Sequence, residues 1–171
     1  MPLSKSLVIL LEEAWSELFL LCAIQWSLPL ESCPLLSVPD PTLGIQGKLM
    51  NAAIETQILQ ETIARFKSLT VDPTEFACMK ALVLFKPGRQ EPNLDIEKSG
   101  EGQRNLQDQS QVMLGQHNKM HYPSQPVRFG KLLLLLPSLR FISSDRIELL
   151  FFRRTIGNTP MEKLLCDMFK N

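Results

Sequence analysis

The chain has 171 residues, and its 18 Lys and Arg residues balance its 18 Asp and Glu residues. Zero net charge argues against a nucleic-acid-binding arm or a membrane-surface patch, because both usually carry a basic excess. Hydrophobic residues make up 44% of the chain, enough for one folded domain with a core. The four cysteines are far apart and form no Cys-x-x-Cys pair. That spacing excludes a zinc finger, a zinc ribbon or a thioredoxin-type motif in this chain and predicts reduced thiols.

The N-terminal segment predicts a buried helix. Residues 7–28 are strongly apolar, but Glu12, Glu13 and Glu17 interrupt them. The apolar run before Glu12 is too short for a signal peptide, and a membrane span needs about 20 nearly uninterrupted apolar residues. A helix that is apolar on most sides is normally central in a soluble domain. We expect it to end before Pro29, since the residue before a proline is pushed out of the helical region.

Two further helices follow a loop that is rich in proline and glycine. The loop is predicted for residues 31–50 and an amphipathic helix for 51–69. The third helix has a clear start, because Asp72 can accept a bond from the amide of Glu75, whose side chain can reach back to the cap. It is expected to run to Phe85.

The next segment is polar and holds several prolines and glycines. We predict a mobile loop for residues 86–103 and an outer helix for 104–121 with a narrow buried stripe. The outer helix carries His117 and His121, four residues apart as in zinc proteases, but those enzymes need Glu after the first histidine and here Asn118 follows. With no third ligand in sight, two solvated histidines are the commoner arrangement. No motif for catalysis is present, so we expect no enzyme, no catalytic residue and no metal site.

The fifth helix is predicted to begin near Val127, to kink at Pro137 and to restart at Ser143 or Asp145. It is apolar on nearly every side. One stripe suits the core: Phe129, Leu132, Leu136 and Leu139. A second stripe holds Gly130, Leu133, Leu134 and Pro137. Either a neighbouring part of the chain covers this second stripe, as in a central helix, or it is a dimer face.

The last helix follows a helix-stop signal at Gly157. Thr159 is the predicted cap, Pro160 the first helical residue and Glu162 the partner that closes the capping box. One face is apolar: Met161, Leu164, Leu165, Met168 and Phe169. About 11 residues are too few for a stable isolated helix, so it must dock, either permanently or as a switch with two positions. No strand pattern is present, and the predicted fold class is all-α.

Four segments together resemble the ligand-binding domain of nuclear receptors: 10–18, 72–81, 132–140 and 164–169. The resemblance implies an incomplete helical sandwich, from signature helix to activation helix, over residues 8–171 after a divergent start at 1–7. It implies that the zinc-containing DNA-binding domain and the first helices of the ligand-binding domain lie outside this chain. We therefore expect an N-terminally truncated receptor. The alternatives are a non-functional or interfering isoform and an unrelated helical interaction module.

The resemblance also assigns sites. It places the coregulator groove and activation helix at Val8, Glu12, Leu164, Leu165, Asp167, Met168 and Phe169. It places the dimer face at Gly130, Leu133, Leu134, Pro137 and Arg140. It places pocket-lining residues at Trp15, Cys22 and Trp26. Retinoid-binding relatives carry an arginine at the position of Trp26, and an indole supplies no charge for an acid ligand.

The partners that follow are a second copy or a related nuclear receptor, and coactivator or corepressor peptides. Glu12 stands where relatives tend to have a basic residue, which weakens a clamp on the carboxyl end of a partner helix. We expect an orphan, repressor-leaning receptor in the nucleus, with no cofactor in this chain, no direct DNA binding and no membrane contact.

Overall fold

The computed structural model describes residues 2–28, 46–86, 96–152, 157 and 159–170, and every regular element in these ranges is helical. The all-α class is therefore confirmed. The elements are α1 (Pro2–Gln25), α2 (Gln46–Leu69), α3 (Pro73–Leu84), α4 (Ile96–His121), α5 (Arg128–Arg140), α6 (Ser144–Ile147), a π-helical turn (Glu148–Phe152) and α7 (Met161–Lys170).

Helix α1 lies at the centre, in contact with α3, α5 and α7. Its second half is apolar on all sides, and Leu20, Leu21 and Ala23 are completely buried, as expected for a helix surrounded by other elements. Within the part of the chain that is described, no helix is both long and apolar enough to cross a membrane.

The end of α1 is closed by two backbone hydrogen bonds. The amide of Leu28 donates to the Ala23 carbonyl at 2.9 Å, and the amide of Ser27 donates to the Ile24 carbonyl at 3.1 Å. This pairing is the Schellman motif, which needs a left-handed residue at its corner. Ser27 takes that conformation with φ of 52°, so the helix ends three residues earlier than predicted from Pro29.

The start of α3 is the predicted capping box. Asp72 Oδ1 accepts from the Glu75 amide at 2.7 Å, and Glu75 Oε1 accepts from the Asp72 amide at 3.0 Å. Helix α3 packs between α1 and α4. Its buried residues include Phe76, Met79 and Val83, so the box fixes a helix that faces two neighbours.

Two predicted loops are shorter than expected. Helix α4 begins at Ile96 and α2 at Gln46, so the loop assignment is wrong over 96–103 and 46–50, while 29–45 and 87–95 lie outside the described residues. The glycines in these segments do not prevent helix formation. A glycine costs about 1 kcal/mol in a helix interior, which neighbouring Glu, Lys and Gln residues and the buried contacts of the same helix can offset.

Helix α5 passes through Pro137 without a break. Its fully buried stripe is Leu132, Leu135 and Leu139, at the 3- and 4-residue spacing of one helix face. Leu135 had been predicted in neither stripe, and this was wrong. Phe129 and Leu136 lie beside the stripe and are half-buried. The restart at Ser143 is confirmed, because its hydroxyl accepts from the amide of Arg146 at 3.3 Å.

Candidate functional site

The outward face of α5 is apolar and exposed. Leu134 is 72% exposed, and Gly130 and Pro137 share its face and are exposed as well. Val127 directly precedes the helix and Phe141 directly follows it, and both are exposed and extend the same stripe. Of the predicted dimer-face residues, Leu133 instead packs partly against the core and Arg140 lies on the flank, so the exposed stripe is centred on Leu134. We call Val127, Gly130, Leu134, Pro137 and Phe141 the α5 face.

Helix α7 docks against α1. Met161 is buried, and Leu164 and Leu165 pack against the core. Asp167, on the same helix, is exposed. The helix begins at Met161, one residue later than predicted, with the Leu164 amide bonded to the Pro160 carbonyl at 3.2 Å.

Two other predicted groove residues, Val8 and Glu12, lie on α1 and are half-buried. The side chains of Met168 and Phe169, and that of Glu162 in the predicted capping box, lie outside the described part of the chain. Their role in a groove stays a prediction.

The three predicted pocket residues lie on α1 or just beyond it and differ in burial. Trp15 is buried and meets the Phe152 ring edge-on, with ring centroids 5.9 Å apart. Phe19 packs against the same ring at 4.9 Å, so the π-helical turn supplies aromatic packing to α1. Cys22 is half-buried, whereas Trp26 is 73% exposed just beyond α1. The pocket also stays a prediction.

A buried ion pair joins α3 to the start of α5. Arg128 donates to both oxygens of the Glu75 carboxylate, at 2.6 Å and 2.8 Å. The two side chains are only 2% and 0% exposed. Such a pair is stable only when the remaining donors and acceptors also have partners, and here they do.

The remaining donors of Arg128 reach the end of α2. They bond the carbonyls of Leu69 and Thr70 at 2.7 Å and 3.4 Å, and the guanidinium lies 3.9 Å from the centre of the Tyr122 ring. A cation is favourable at the carboxyl end of a helix. Hydrogen bonding to Glu75 outweighs burial and raises the pKa of Arg128 above its usual value. One guanidinium therefore ties α2, α3 and α5 together.

Helix α4 joins the network through Asp72 and Glu75. Asn118 donates to Glu75 Oε2 at 2.9 Å, while His117 Nε2 and the Tyr122 hydroxyl contact Asp72 Oδ2 at 2.7 Å and 2.8 Å. Burial would raise the pKa of Asp72, but these bonds and the one from the Glu75 amide outweigh it, so the pKa is lowered. His117 thus has a structural partner, and His121 stacks on it with ring centroids 4.3 Å apart. No group of three or more potential metal ligands occurs among the described residues.

A second ion pair connects α1 with the end of α3. Both carboxylate oxygens of Glu17 lie 2.5 Å from Lys86 Nζ. Burial lowers the pKa of Lys86, and the contact with Glu17 partly offsets this. Arg140, at the end of α5, comes within 3.9 Å of the same carboxylate. The sequence presented Glu17 only as an interruption of an apolar run, but an acid in an otherwise buried stretch is itself a signal for a paired charge.

Most of the chain matches a known protein family. Residues 5–156 match the ligand-binding domain of nuclear hormone receptors. The chain belongs to the nuclear receptor family. Its helical fold is that of the ligand-binding domain, as the resemblance of its four segments implied.

Three relatives are similar over nearly the whole chain. Identity is 41% to nuclear receptor subfamily 2 group F member 5 of Danio rerio and 42% to steroid receptor seven-up, isoforms B/C, of Drosophila melanogaster, each over 94% of this chain. Nuclear receptor subfamily 2 group F member 6 of Mus musculus is 40% identical, again over 94% of the chain. The chain spans 39%, 29% and 40% of the lengths of these three receptors.

A solved structure supports the fold. The ligand-binding domain of Ultraspiracle from Drosophila melanogaster superposes with a TM-score of 0.65 at 26% identity, over 96% of this chain and 67% of that one. The described helices α1 to α7 therefore follow the arrangement of a nuclear receptor ligand-binding domain.

Proposed function

We propose that this chain is the regulatory part of an orphan nuclear receptor that controls transcription in the nucleus by dimerising and by binding coregulator peptides. The observation that carries the proposal is the α5 face, which presents Leu134 and Phe141 largely exposed on a helix within the matched receptor domain. Exposed apolar stripes of this kind mark protein interfaces. The chain itself has no catalytic role and no resident cofactor in this proposal.

Sedimentation equilibrium tests the dimer. Leu134→Glu places a charge at the centre of the α5 face and should convert dimers to monomers with little loss of helicity. Leu133→Arg, which the sequence alone also predicts to give monomers, is less specific, because Leu133 packs partly against the core. Ile54→Glu is the matched control, because Ile54 on α2 is 51% exposed and is not one of the residues of the α5 face. A monomeric wild type, or a Leu134→Glu variant that still dimerises, contradicts this part of the proposal.

The coregulator part concerns α7. Its docked apolar residues and the acidic Asp167 support a helix that covers the groove on α1 and favours repression. Asp167 would clamp the amino end of a partner helix, whose free amides favour a negative charge. Aspartate is one methylene shorter than the glutamate expected from the resemblance, so coactivator peptides should bind weakly.

Fluorescence anisotropy with labelled coactivator and corepressor peptides tests the switch. Truncation before Thr159 should increase corepressor binding, because the covering helix is removed, and Asp167→Asn should weaken only coactivator binding. If the truncation abolishes both kinds of binding and lowers the melting temperature by many degrees, α7 is structural.

A finer assignment rests on the tail. The listed relatives are group F and seven-up receptors, whereas residues 155–160 and 166–171 alone resemble the photoreceptor-specific nuclear receptor and tailless. We propose membership of this orphan branch within the family. A truncated isoform that interferes with a full receptor remains the second candidate, and the upstream sequence of the transcript distinguishes the two.

A further inference from the structure

Two exposed serines in the described part of the chain have an arginine three residues before them. They are Ser68, near the end of α2 and preceded by Arg65, and Ser143, between α5 and α6 and preceded by Arg140. Arginine at this spacing is the charge that basophilic protein kinases recognise, because acidic residues in their peptide groove pair with a guanidinium. The sequence gives no reason to prefer either serine, but the structure distinguishes them.

Ser68 is a poor acceptor for a phosphate because it is part of helix α2. Its hydroxyl donates to the Arg65 carbonyl at 2.8 Å, so it is already bonded within the helical turn. The carbonyls of Leu69 and Thr70, which follow directly, accept bonds from Arg128. A kinase binds its acceptor in an extended segment. Phosphorylation of Ser68 would therefore require the last turn of α2 to unwind and to give up these bonds.

Ser143 is much easier to present to a kinase. It lies three residues beyond α5, and its backbone is already extended, with φ of −65° and ψ of 145°. Its side chain is exposed, and the hydroxyl accepts a long hydrogen bond from the Arg146 amide at 3.3 Å. The Arg140 side chain is 58% exposed. Between the two, Phe141 is exposed and Ile142 is buried, so presentation of this segment requires the release of a single buried side chain.

We propose that Ser143 is a phosphorylation site for a basophilic serine/threonine kinase, with Arg140 as its recognition residue. In this reaction Ser143 Oγ attacks the γ-phosphorus of MgATP, its proton passes to the catalytic aspartate of the kinase, and ADP leaves. One phosphorus–oxygen bond forms as another breaks, so no oxidant or further reactant is needed. The phosphoserine carries a charge of about −1.5 to −2 at pH 7.

The new charge would lie beside an ion pair that is incompletely bonded. Arg146 Nε lies 3.3 Å from Glu55 Oε2 on α2, yet both atoms are buried without a hydrogen bond to any described residue. Burial raises the pKa of Glu55, although Arg146 and a hydrogen bond from the Ser143 backbone oppose the rise. A phosphate on Ser143 attracts Arg146 and repels Glu55. Phosphorylation should therefore draw Arg146 away from Glu55 and weaken the link between α2 and α6.

Phosphorylation of the full chain by cyclic-AMP-dependent protein kinase with MgATP tests the site, and tandem mass spectrometry locates the phosphate. Ser143 should be labelled at least about tenfold faster than Ser68, because Ser68 becomes accessible only when α2 unwinds. Arg140→Gln should slow the labelling of Ser143 by about tenfold or more, whereas Ser143→Thr should remain a substrate. Ser144→Ala is the matched control, because this neighbouring exposed serine has no arginine at the same spacing, and it should change nothing.

The same assay on Leu134→Glu separates the site from the proposed dimer. Phe141 belongs to the α5 face and lies inside the segment that the kinase must bind, so a dimer through that face would cover the site. Labelling of Ser143 in Leu134→Glu alone means that the dimer masks the site. If Ser143 is labelled in neither protein, or if Ser68 is labelled as fast as Ser143, the site is refuted.

Thermal unfolding of the phosphorylated chain tests the exchange of partners by Arg146. The change in Tm on phosphorylation should be more negative in the wild type than in Glu55→Gln, by on the order of 2–4 °C. The reason is that a neutral amide is not repelled by the phosphate and needs no counter-charge. The unphosphorylated form of each protein gives its baseline. An equal change in both proteins shows that Glu55 does not respond to the phosphate and overturns this part of the proposal.

Discussion

Replacing Arg128 with methionine tests the buried ion network most directly. Methionine keeps much of the aliphatic volume, but the Glu75 carboxylate, which is 0% exposed, would be left without its counter-charge. The Leu69 and Thr70 carbonyls would lose a donor at the same time. Breaking a buried pair by removing one partner costs about 3–5 kcal/mol. The upper half of that range applies here because both side chains are almost wholly buried.

The assay is equilibrium urea unfolding monitored by circular dichroism. An m-value equal to that of the wild type is the check on two-state behaviour. Lys131→Met is the control, because Lys131 is exposed on the same helix and its loss should change the free energy of unfolding by less than about 0.5 kcal/mol. Adding Glu75→Gln to Arg128→Met should restore part of the loss, since a neutral amide is less costly to bury than an unpaired carboxylate. A loss below about 1 kcal/mol for Arg128→Met, or a double variant equal to the sum of the singles, refutes the reasoning.

Three further predictions concern stability. Ser27→Gly should raise the free energy of unfolding by roughly 0.5–1 kcal/mol in urea titrations, because Ser27 sits at φ of 52° and glycine adopts that conformation without the cost that other residues carry; an unchanged midpoint contradicts this. Leu139→Ala should cost about 3–5 kcal/mol by loss of a completely buried side chain, whereas Leu134→Ala on the exposed face should cost less than about 0.5 kcal/mol by the same measurement. The pKa of Asp72 is lowered in the folded chain, so its contribution to stability is present above about pH 4 and is lost as the pH falls below that. In urea unfolding between pH 2.5 and 6, the free energy of unfolding of Asp72→Asn should therefore fall less steeply towards acid pH than that of the wild type. An equally steep fall in both proteins would contradict the assignment.

Local signals in the sequence predicted most helix ends correctly. The capping box at Asp72 and Glu75 depends on residues three apart, so it can be identified without knowing the fold. The hydroxyl cap at Ser143 is of the same kind. The start of α4 was missed because Gly100 and Gly102 suggested a loop, although a helix tolerates glycine when its other contacts compensate.

Contacts between distant residues could not be predicted in this way. Arg128 and Glu75 are 53 residues apart, and Lys86 and Glu17 are 69 apart. Nothing local links the members of either pair. The same limit applies to α5. The sequence indicated two apolar stripes, but it could not show that Leu135 is buried in the core and that Leu133 is partly buried against it. That division depends on where α2 and α4 pack.

The buried network and the α5 face are parts of one physical arrangement. Arg128 is the first residue of α5, and its bonds to Glu75, Leu69 and Thr70 fix where that helix begins. Leu134 follows less than two turns later, so a displaced Arg128 would shift the face on which the proposed dimer depends. Arg128→Met should therefore weaken dimerisation as well as folding, although Arg128 itself is buried and cannot touch a partner. Sedimentation at a temperature where the variant remains helical separates the two effects: unchanged association would mean that Leu132, Leu135 and Leu139 position α5 without the ion pair.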